Sequence, residues 1–478
     1  MLQNYSALLT DFYQLTMAYG YWRLGMQDQE AVFHLIFRSS PFKGKYTLNC
    51  GLATVIEYLQ NWHFSADDIA YLATLRNVRD EQIFPVEFLD YLANLRFTGD
   101  LDAIPEGTVV FAQEPLLRIQ GPLLQCQLLE TPLLNILNFQ TLIATKAARV
   151  CQVAAGDPVI EFGMRRAQGP DGALSASRAA YIGGCTATSN TLAGKLYGIP
   201  VRGTHAHSWV TAFTNEQEAF SAYAEVLPHN CMLLVDTFDT ISGVQHAIEV
   251  GHHLREQGAD LLGIRLDSGD MADLSIKARK LLDAAGFQQT QILASNKLDE
   301  YVMQSIKQQG AKIGAWGVGT NMVTAYDQPA LDMVYKLSAL RSKDGRWIYK
   351  LKLSEQAIKI SNPGRMQVRR FFYNDQYVMD VLYDLELGIS EMPEMVSIDQ
   401  AAAKMKLADY DAFVDLLKPI FKQGKLVEAI EPIQTIRQRA IEDVAEFYQM
   451  HDDHVYPVGM EMKLYELKQQ LIAELKKL

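Results

Sequence analysis

Arginine and aspartate alternate in the segment RLDSGD, which begins at Arg265 and follows a short apolar run. Residues two apart on a strand point the same way, so Arg265 and Asp267 are expected to project together. The guanidinium suits a phosphate, and the carboxylate suits sugar hydroxyls or a hydrated Mg²⁺. An internal Arg–Asp ion pair, with Ser268 or Asp270 capping the next helix, explains the same residues without a ligand.

A glycine-rich segment, GVGT, ends another apolar run and extends from Gly317 to Thr320. Gly317 and Gly319 would let backbone N–H groups approach a phosphate, and a helix N-terminus would favour the anion. Ser295 and Asn296 follow the preceding apolar run. The same glycines are also typical of a tight turn without a ligand, and they lack the spacing of a dinucleotide fold or a P-loop.

Two histidines, His205 and His207, lie two residues apart directly after Thr204. In an extended segment they would share a face, which would permit metal binding. The sequence supplies no obvious third ligand nearby. Hydrogen-bonded structural histidines and a catalytic or phosphorylated histidine both remain open.

Aromatic residues accompany two of the polar segments. Phe162 with Arg165 and Arg166 would place a ring and two cations at a further strand end, although core packing and a surface ion pair fit as well. Tyr13 lies near the start of an amphipathic helix, where an ordinary core aromatic is the default interpretation.

Short apolar runs alternate with helical segments through the middle of the chain. The strands are expected at residues 159–162, 199–203, 231–235, 261–266, 291–294 and 313–318. Such continuous apolar strands predict a parallel sheet covered by helices, either an α/β barrel or an open doubly wound sheet. In both folds, chemistry lies at the carboxyl ends of the strands, where the polar segments stand.

The two ends of the chain have a different pattern. The first 130 residues mix helical and strand-like pieces, which predicts a separate α+β region. A strand-rich, basic stretch is expected at residues 347–377, and charged helices are expected from there to Leu478.

Bulk properties narrow the class of protein. The net charge of −12 argues against general binding of nucleic acid or an anionic membrane. The five cysteines are scattered, which favours neither a disulfide framework nor a zinc cluster. The N-terminus lacks the pattern of a secretory signal, and the longest apolar region, residues 121–139, is interrupted by polar residues. A cytoplasmic location is predicted.

Taken together, the segments resemble nicotinate phosphoribosyltransferases over nearly the whole chain. The most specific match is MRRAQGPDG, beginning at Met164, and further matches are TDFYQLTM, GTHAHS, LVDTFD and RLDSGD. The resemblance implies an irregular (β/α) barrel with a second α+β domain, in a homodimer whose active sites are shared between subunits. The expected divisions are residues 1–130 for the N-terminal α+β domain, 131–350 for the barrel, and 351–478 for a return to the α+β domain with C-terminal helices.

The resemblance also implies roles for individual residues. Phe162 would stack on one face of the pyridine ring, and the partner subunit's Tyr13 on the other. Arg165 and Arg265 would contact phosphate or the substrate carboxylate, and Asp267 would hold ribose hydroxyls or the metal. The residues implied to cradle the 5′-phosphate are Ser295, Asn296, Gly317, Gly319 and Thr320.

His207 matches the histidine that family members phosphorylate with ATP. Thr204 and Ser208 would lie in the same site. Asn190 appears at the position where nicotinamide phosphoribosyltransferases carry an aspartate that reads the amide, and the missing carboxylate favours an anionic substrate.

The implied activity is the formation of nicotinate mononucleotide from nicotinate and phosphoribosyl pyrophosphate, coupled to ATP hydrolysis, in NAD biosynthesis. Mg²⁺ would be carried by the substrate phosphates, without a protein-bound metal or structural zinc. The alternatives are a nicotinamide or quinolinate phosphoribosyltransferase, a catalytically silent barrel acting as a scaffold, and a hydrolase. A hydrolase would need a carboxylate pair, such as two of Asp236, Asp239 and Asp267.

Overall fold

The computed structural model describes residues 6–356, 359–391, 393–398, 403–406, 409–450 and 456–477. The chain forms two compact units. The first unit combines Met1–Leu142 with Ala330–Leu478, and the second is Ile143–Pro329. The domain boundaries expected near residues 130 and 350 stay a prediction.

The N-terminal part of the chain mixes helices and strands. Its elements are α1 (Phe12–Arg23), β1 (Glu30–Phe37), β2 (Thr47–Leu48), α2 (Leu52–Gln60), α3 (Ala66–Thr74), α4 (Val86–Asn94), β3 (Asp100–Ala103), β4 (Val109–Val110), β5 (Leu117–Pro122), α5 (Leu123–Leu128) and α6 (Glu130–Ala154).

The second unit alternates strands and helices. Its elements after α6 are β6 (Val159–Glu161), α7 (Gly169–Ile182), β7 (Ala187–Thr188), α8 (Thr191–Tyr197), α9 (His207–Thr211), α10 (Glu216–Val226), β8 (Met232–Leu234), α11 (Thr240–Glu256), β9 (Gly263–Leu266), α12 (Met271–Ala284), β10 (Gln291–Ser295), α13 (Glu300–Gln308), β11 (Ala315–Val318) and α14 (Thr320–Val323).

The six strands of this unit form one parallel sheet in the order β7-β6-β11-β10-β9-β8. Strands β8 to β11 are short and largely apolar, and most of their residues are buried, as the sequence pattern predicted. Asp239, Asp270 and Asp299 each accept a backbone N–H at the start of the helix that follows β8, β9 or β10. These caps begin the helices close to the strand ends. The predicted α/β class is therefore confirmed.

The predicted strand at residues 199–203 is wrong as a regular element. Only Val201 pairs, through one parallel bridge with Thr188 beyond the β7 edge. Four residues later, the His205 ring accepts the backbone N–H of Leu234 in β8, with Nε2 and N 3.1 Å apart. A side chain thus closes the ring of strands where a backbone ladder is missing, which makes this barrel irregular.

The C-terminal part returns to the first unit. Its elements are β12 (Met333–Arg341), β13 (Trp347–Tyr349), β14 (Met366–Tyr373), β15 (Gln376–Asp384), β16 (Met395–Ser397), β17 (Lys404–Met405), β18 (Ala412–Asp415), β19 (Lys418–Lys422), β20 (Lys425–Leu426), α15 (Ile433–Met450), β21 (Val458–Glu461) and α16 (Met462–Leu475). The expectation of charged helices after residue 377 is wrong for much of this region, because short strands occupy it before α15.

The strands of the first unit belong to three sheets among the described residues. One has the order β13-β12-β1-β5-β3-β19-β20, another the order β17-β16-β21-β15-β14-β18, and β2 pairs with β4. N-terminal and C-terminal strands pair directly, since β12 joins β1 and β19 joins β3. The two ends of the chain therefore build one unit, as predicted.

Candidate active site

Polar side chains gather in a cleft of about 370 Å³ in the second unit. Most lie at or just beyond the carboxyl ends of the parallel strands, where barrel and doubly wound folds place their sites. The residues that line the cleft are Phe162, Met164, Arg165, Ser189, Gly203, Thr204, His205, Ala206 and Arg265.

Arg265 on β9 is largely buried and has three hydrogen-bond partners. Its guanidinium donates to Ser295 Oγ at 2.8 Å, Thr204 Oγ1 at 3.1 Å and Asp267 Oδ1 at 2.8 Å. Its Cζ atom also lies 5.4 Å from the centre of the Phe162 ring. Arg265 and Asp267 do project together, as their spacing predicted. An ion pair and a substrate site are compatible here, because Arg265, one member of the pair, lines the cleft.

Asp267 links β9 to two neighbouring strands. Its carboxylate accepts from Ser295 Oγ at 2.5 Å, and its backbone N–H donates to Asp236 Oδ2 at 2.8 Å. Burial by itself would raise the pKa of Asp267, but the hydrogen bonds from Ser295 and Arg265 and the positive charge of Arg265 lower it on balance. The side chain is therefore an anion at neutral pH.

His207 is the first residue of α9, and its side chain is 44% exposed. Its Nδ1 atom lies 3.1 Å from Thr237 Oγ1, and its Nε2 atom lies 3.7 Å from Asp267 Oδ2. Both ring nitrogens thus face groups at strand ends. If Nδ1 carries the proton and donates it to the Thr237 hydroxyl, Nε2 is unprotonated in the neutral ring. Its lone pair then points towards Asp267.

His205 has a different environment from His207. His205 is buried, and its Nε2 accepts the backbone N–H of Leu234. The proton of the neutral ring is therefore on Nδ1, which lies 3.3 Å from Ala206 O and donates to it. Burial lowers the pKa of His205, which keeps the ring neutral. Among the described residues, no group of three or more His, Cys, Asp and Glu side chains is arranged to hold a metal ion.

Phe162 packs against the glycine-rich strand end. A Cβ atom on Gly317 would lie 2.6 Å from Phe162 Cδ2, and one on Gly319 would lie 3.1 Å from Phe162 O. Gly317 is also paired in register with Ser295, so two of the predicted phosphate-cradle residues are neighbours. Close packing of the ring accounts for the glycine at position 317 whether or not a phosphate binds.

The other predicted cradle residues follow the same strands. Asn296 comes directly after β10 with a positive φ of 87°, a conformation that asparagine tolerates better than most residues. Thr320 is the first residue of α14 and follows Gly319. The structure brings Ser295, Asn296, Gly317, Gly319 and Thr320 to the ends of two paired strands.

Asn190 is fully buried, and its amide atoms have partners inside the protein. Its side-chain oxygen accepts from Ala193 N at 3.2 Å, and its Nδ2 donates to Ser177 Oγ at 3.1 Å. Its neighbour Ser189 lines the cleft instead. A role of Asn190 in reading the substrate stays a prediction.

Three further predicted residues are exposed. Arg165 lies in a single turn of 3-10 helix, Met164–Arg166, and lines the cleft. Ser208 follows His207 in α9. Tyr13 lies on α1 in the first unit with 49% of its surface exposed, so it is not a core aromatic in this chain.

Sequence reasoning missed two residues that shape the site. Thr237, which contacts His207, belongs to the segment LVDTFD. A single threonine in a sequence does not by itself indicate a site, so it was not selected. Glu161 is a fully buried carboxylate at the end of β6. The sequence signal for Glu161 was a charged residue at the end of an apolar strand. Such a residue is buried only when it has hydrogen-bond or ionic partners, so its position indicates a polar network.

Fold and site define an α/β-barrel protein whose cleft combines arginine, aromatic, hydroxyl and histidine side chains. The family models of nicotinate phosphoribosyltransferase match most of the chain: the N-terminal domain at residues 8–138, the family itself at 158–372 and the C-terminal domain at 365–468. This chain belongs to the nicotinate phosphoribosyltransferase family of enzymes.

Individual relatives agree with the family models. The chain is 42% identical to a nicotinate phosphoribosyltransferase from Bacillus subtilis, over 98% of this chain and 96% of the relative. It is similar to the crystal structure of human nicotinic acid phosphoribosyltransferase, with a TM-score of 0.84, 30% identity, and coverage of 97% and 99% of the two chains. A nicotinate-nucleotide pyrophosphorylase from Pyrococcus furiosus shares the fold, with a TM-score of 0.68, 23% identity, and coverage of 92% and 95%.

Proposed function

We propose that this chain transfers the phosphoribosyl group of phosphoribosyl pyrophosphate to nicotinate, with coupled hydrolysis of ATP. The observation that carries the proposal is the cluster of Arg265, Asp267 and His207, in which one carboxylate lies beside both a cation and a histidine. Membership of the family supports the substrates, and the cluster supports the chemistry.

The transfer requires little acid–base chemistry from the protein. The pyridine nitrogen is itself the nucleophile, and it displaces pyrophosphate at the anomeric carbon through an oxocarbenium-like state. Catalysis then depends on positioning and on stabilising charge. Phe162 offers a ring face to the acceptor, and Arg265, Arg165 or both offer a cation to its carboxylate or to phosphate.

The described residues fit Mg²⁺ that arrives with the substrate phosphates. Asp236 Oδ1 is buried without a hydrogen-bond partner. The other carboxylate oxygen of Asp236, Oδ2, accepts the backbone N–H of Asp267, so the two aspartates are in direct contact. These two aspartates would hold the hydrated cation or the ribose hydroxyls. When bound, Mg²⁺ would neutralise charge on the leaving pyrophosphate.

His207 is the residue that we propose to be phosphorylated by ATP. A ring that donates from Nδ1 to Thr237 presents the Nε2 lone pair as the phosphoryl acceptor. Hydrolysis of the phosphohistidine would drive an otherwise reversible transfer. Thr204 and Ser208, which flank the histidine segment, would contact the bound substrates.

Other features are also proposals. A homodimer would bring the partner subunit's Tyr13 to the second face of the pyridine ring, in keeping with the half-exposed Tyr13 on α1. Ser295, Asn296, Gly317, Gly319 and Thr320 would hold the 5′-phosphate at the paired ends of β10 and β11. Among the described residues, no helix combines the length and apolar character that crossing a bilayer requires. The cytoplasmic location remains a prediction.

A product assay tests the proposal. Purified protein is incubated with phosphoribosyl pyrophosphate, Mg²⁺ and nicotinate, with and without ATP, and nicotinate mononucleotide and ADP are quantified together. We expect nicotinate mononucleotide in both reactions and a higher yield with ATP, accompanied by ADP. Absence of the mononucleotide under both conditions would refute the proposed transfer, and product formation without ADP would refute the coupling.

A further inference from the structure

Glu161, at the carboxyl end of β6, has a fully buried carboxylate that accepts three hydrogen bonds. Ser177 Oγ on α7 donates at 2.8 Å, Thr188 Oγ1 on β7 donates at 2.6 Å, and the backbone N–H of Gly163 donates as well. All three donors are uncharged. A buried carboxylate is costly, and donors that converge from three segments stabilise it at one position.

The same hydrogen-bond network holds the segment after β7, Ser189 and Asn190, in place. Asn190 Nδ2 donates to Ser177 Oγ at 3.1 Å, and Asn190 N donates to Thr188 Oγ1 at 3.0 Å. Ser189 N donates to the backbone carbonyl of Glu161 at 2.9 Å. Both the side chain and the backbone of Glu161 therefore fix this segment.

Two cleft residues are direct neighbours of the network. Phe162 stands between Glu161 and Gly163, and Ser189 stands between Thr188 and Asn190. Both Phe162 and Ser189 line the cleft, whereas Glu161 does not. Glu161 is thus bonded to the residues next to a cleft-lining ring and a cleft-lining hydroxyl, and it does not line the cleft itself.

We propose that Glu161 is a positioning residue for the acceptor, because its hydrogen bonds to Gly163 and Thr188 fix Phe162 and Ser189 relative to each other. The slot between them receives the aromatic acid, and Ser189 is the residue of the segment after β7 that presents a polar group to it. The proposal rests on the proposed function, since it assigns the acceptor end of the same cleft.

A carboxylate is required because both of its oxygens accept. The amide of Glu161→Gln has one accepting oxygen, and its NH₂ group would face a donor. Gly163 N–H donates to Oε1, whereas Ser177 and Thr188 both donate to Oε2. The single amide oxygen can therefore keep either the Gly163 bond or the two hydroxyl bonds, and either the end of β7 or the turn at Gly163 shifts. Small displacements of positioning groups reduce enzyme activity strongly.

The test compares Glu161→Gln with Glu106→Gln. Glu106 is equally buried, in the first unit, and accepts backbone N–H groups of Gly51 and Ala53. Both variants are assayed for KM of nicotinate, KM of phosphoribosyl pyrophosphate, kcat and melting temperature. We expect KM for nicotinate to rise about tenfold in Glu161→Gln and KM for phosphoribosyl pyrophosphate to stay within about twofold. Glu106→Gln should lower the melting temperature and leave both KM values unchanged.

Thr188 provides a second variant pair if Glu161→Gln does not fold. Thr188→Val removes the hydroxyl, and Thr188→Ser retains it. We expect a raised KM for nicotinate in the valine variant and a value near that of the wild type in the serine variant. Equal KM values for nicotinate in wild type and Thr188→Val, or a parallel rise for both substrates, would overturn the positioning role. Failure of the wild type itself to use nicotinate would instead overturn the proposed function.

Discussion

His207 Nε2 lies 3.7 Å from Asp267 Oδ2, while Arg265 donates to the other oxygen of the same carboxylate at 2.8 Å. One aspartate is therefore paired with a cation on one side and lies beside a histidine on the other. A phosphoryl group on Nε2 would lie beside this pair. The arrangement connects the residue that we propose ATP modifies with the residues that we propose bind the phosphoribosyl group.

The first prediction concerns His207→Ala. Removal of the ring eliminates the phosphoryl acceptor but leaves Arg265 and Asp267 paired, so ATP stimulation should disappear while some basal transfer remains. The measurement is the rate of nicotinate mononucleotide formation with and without ATP. His253→Ala is the control, because His253 is 70% exposed on α11 and contacts Glu256 in the same helix. Equal losses of basal and stimulated rates would refute the assigned role.

The second prediction concerns Asp267→Ala. Loss of this carboxylate removes the partner of Arg265 and Ser295, so transfer should fall by about 10³-fold or more. The melting temperature should change little, because Asp267 is partly exposed and Arg265 keeps its bonds to Ser295 and Thr204.

Asp273→Ala is the control for Asp267→Ala. Asp273 is exposed on α12 and pairs with Lys277, so its removal should affect neither rate nor stability. If Asp267→Ala lowered the melting temperature sharply, Asp267 would be a structural ion-pair residue.

The third prediction concerns Gly317→Ala. A Cβ atom at this position would lie 2.6 Å from Phe162 Cδ2, so the ring must move. We expect a raised KM for nicotinate, measured by steady-state kinetics. Gly314→Ala is the matched control in the same segment, since no heavy atom lies within 4 Å of its added Cβ. Indistinguishable kinetics of the two variants would show that the Phe162 ring does not position the acceptor.

The fourth prediction concerns pH and His205. Burial, together with the charges of Arg265 and His207, lowers the pKa of His205, although its bond to Ala206 O acts in the opposite direction. In the unfolded chain the ring binds a proton near pH 6.5, so the unfolded state holds more protons below that value. The stabilisation by His205 is therefore present above about pH 6.5 and is lost as pH falls through the lowered pKa.

Melting temperatures between pH 7.5 and pH 5 would measure this effect. His205→Gln is the comparison, because its side-chain oxygen accepts from Leu234 N but does not titrate. The wild type should lose more stability than His205→Gln as the pH falls. Parallel pH dependences of the two proteins would contradict the account.

The sequence predicted the parts of the fold that depend on local pattern. Strands β8 to β11 lie in largely apolar segments, and the common direction of the Arg265 and Asp267 side chains follows from their spacing of two residues. The sequence did not predict that His205 would close the barrel, because the backbone partner, Leu234, is 29 residues away. Glu161 was missed for the same reason, since its donors Ser177 and Thr188 lie 16 and 27 residues along the chain.

The measurement that tests the central claim most directly is a competition between acceptors. Nicotinate and nicotinamide are supplied together with phosphoribosyl pyrophosphate, Mg²⁺ and ATP, and both mononucleotides are quantified over time. The account predicts that nicotinate mononucleotide is formed in large excess. Preferential formation of nicotinamide mononucleotide would contradict it, because the cation-lined cleft would then not select the anionic acid.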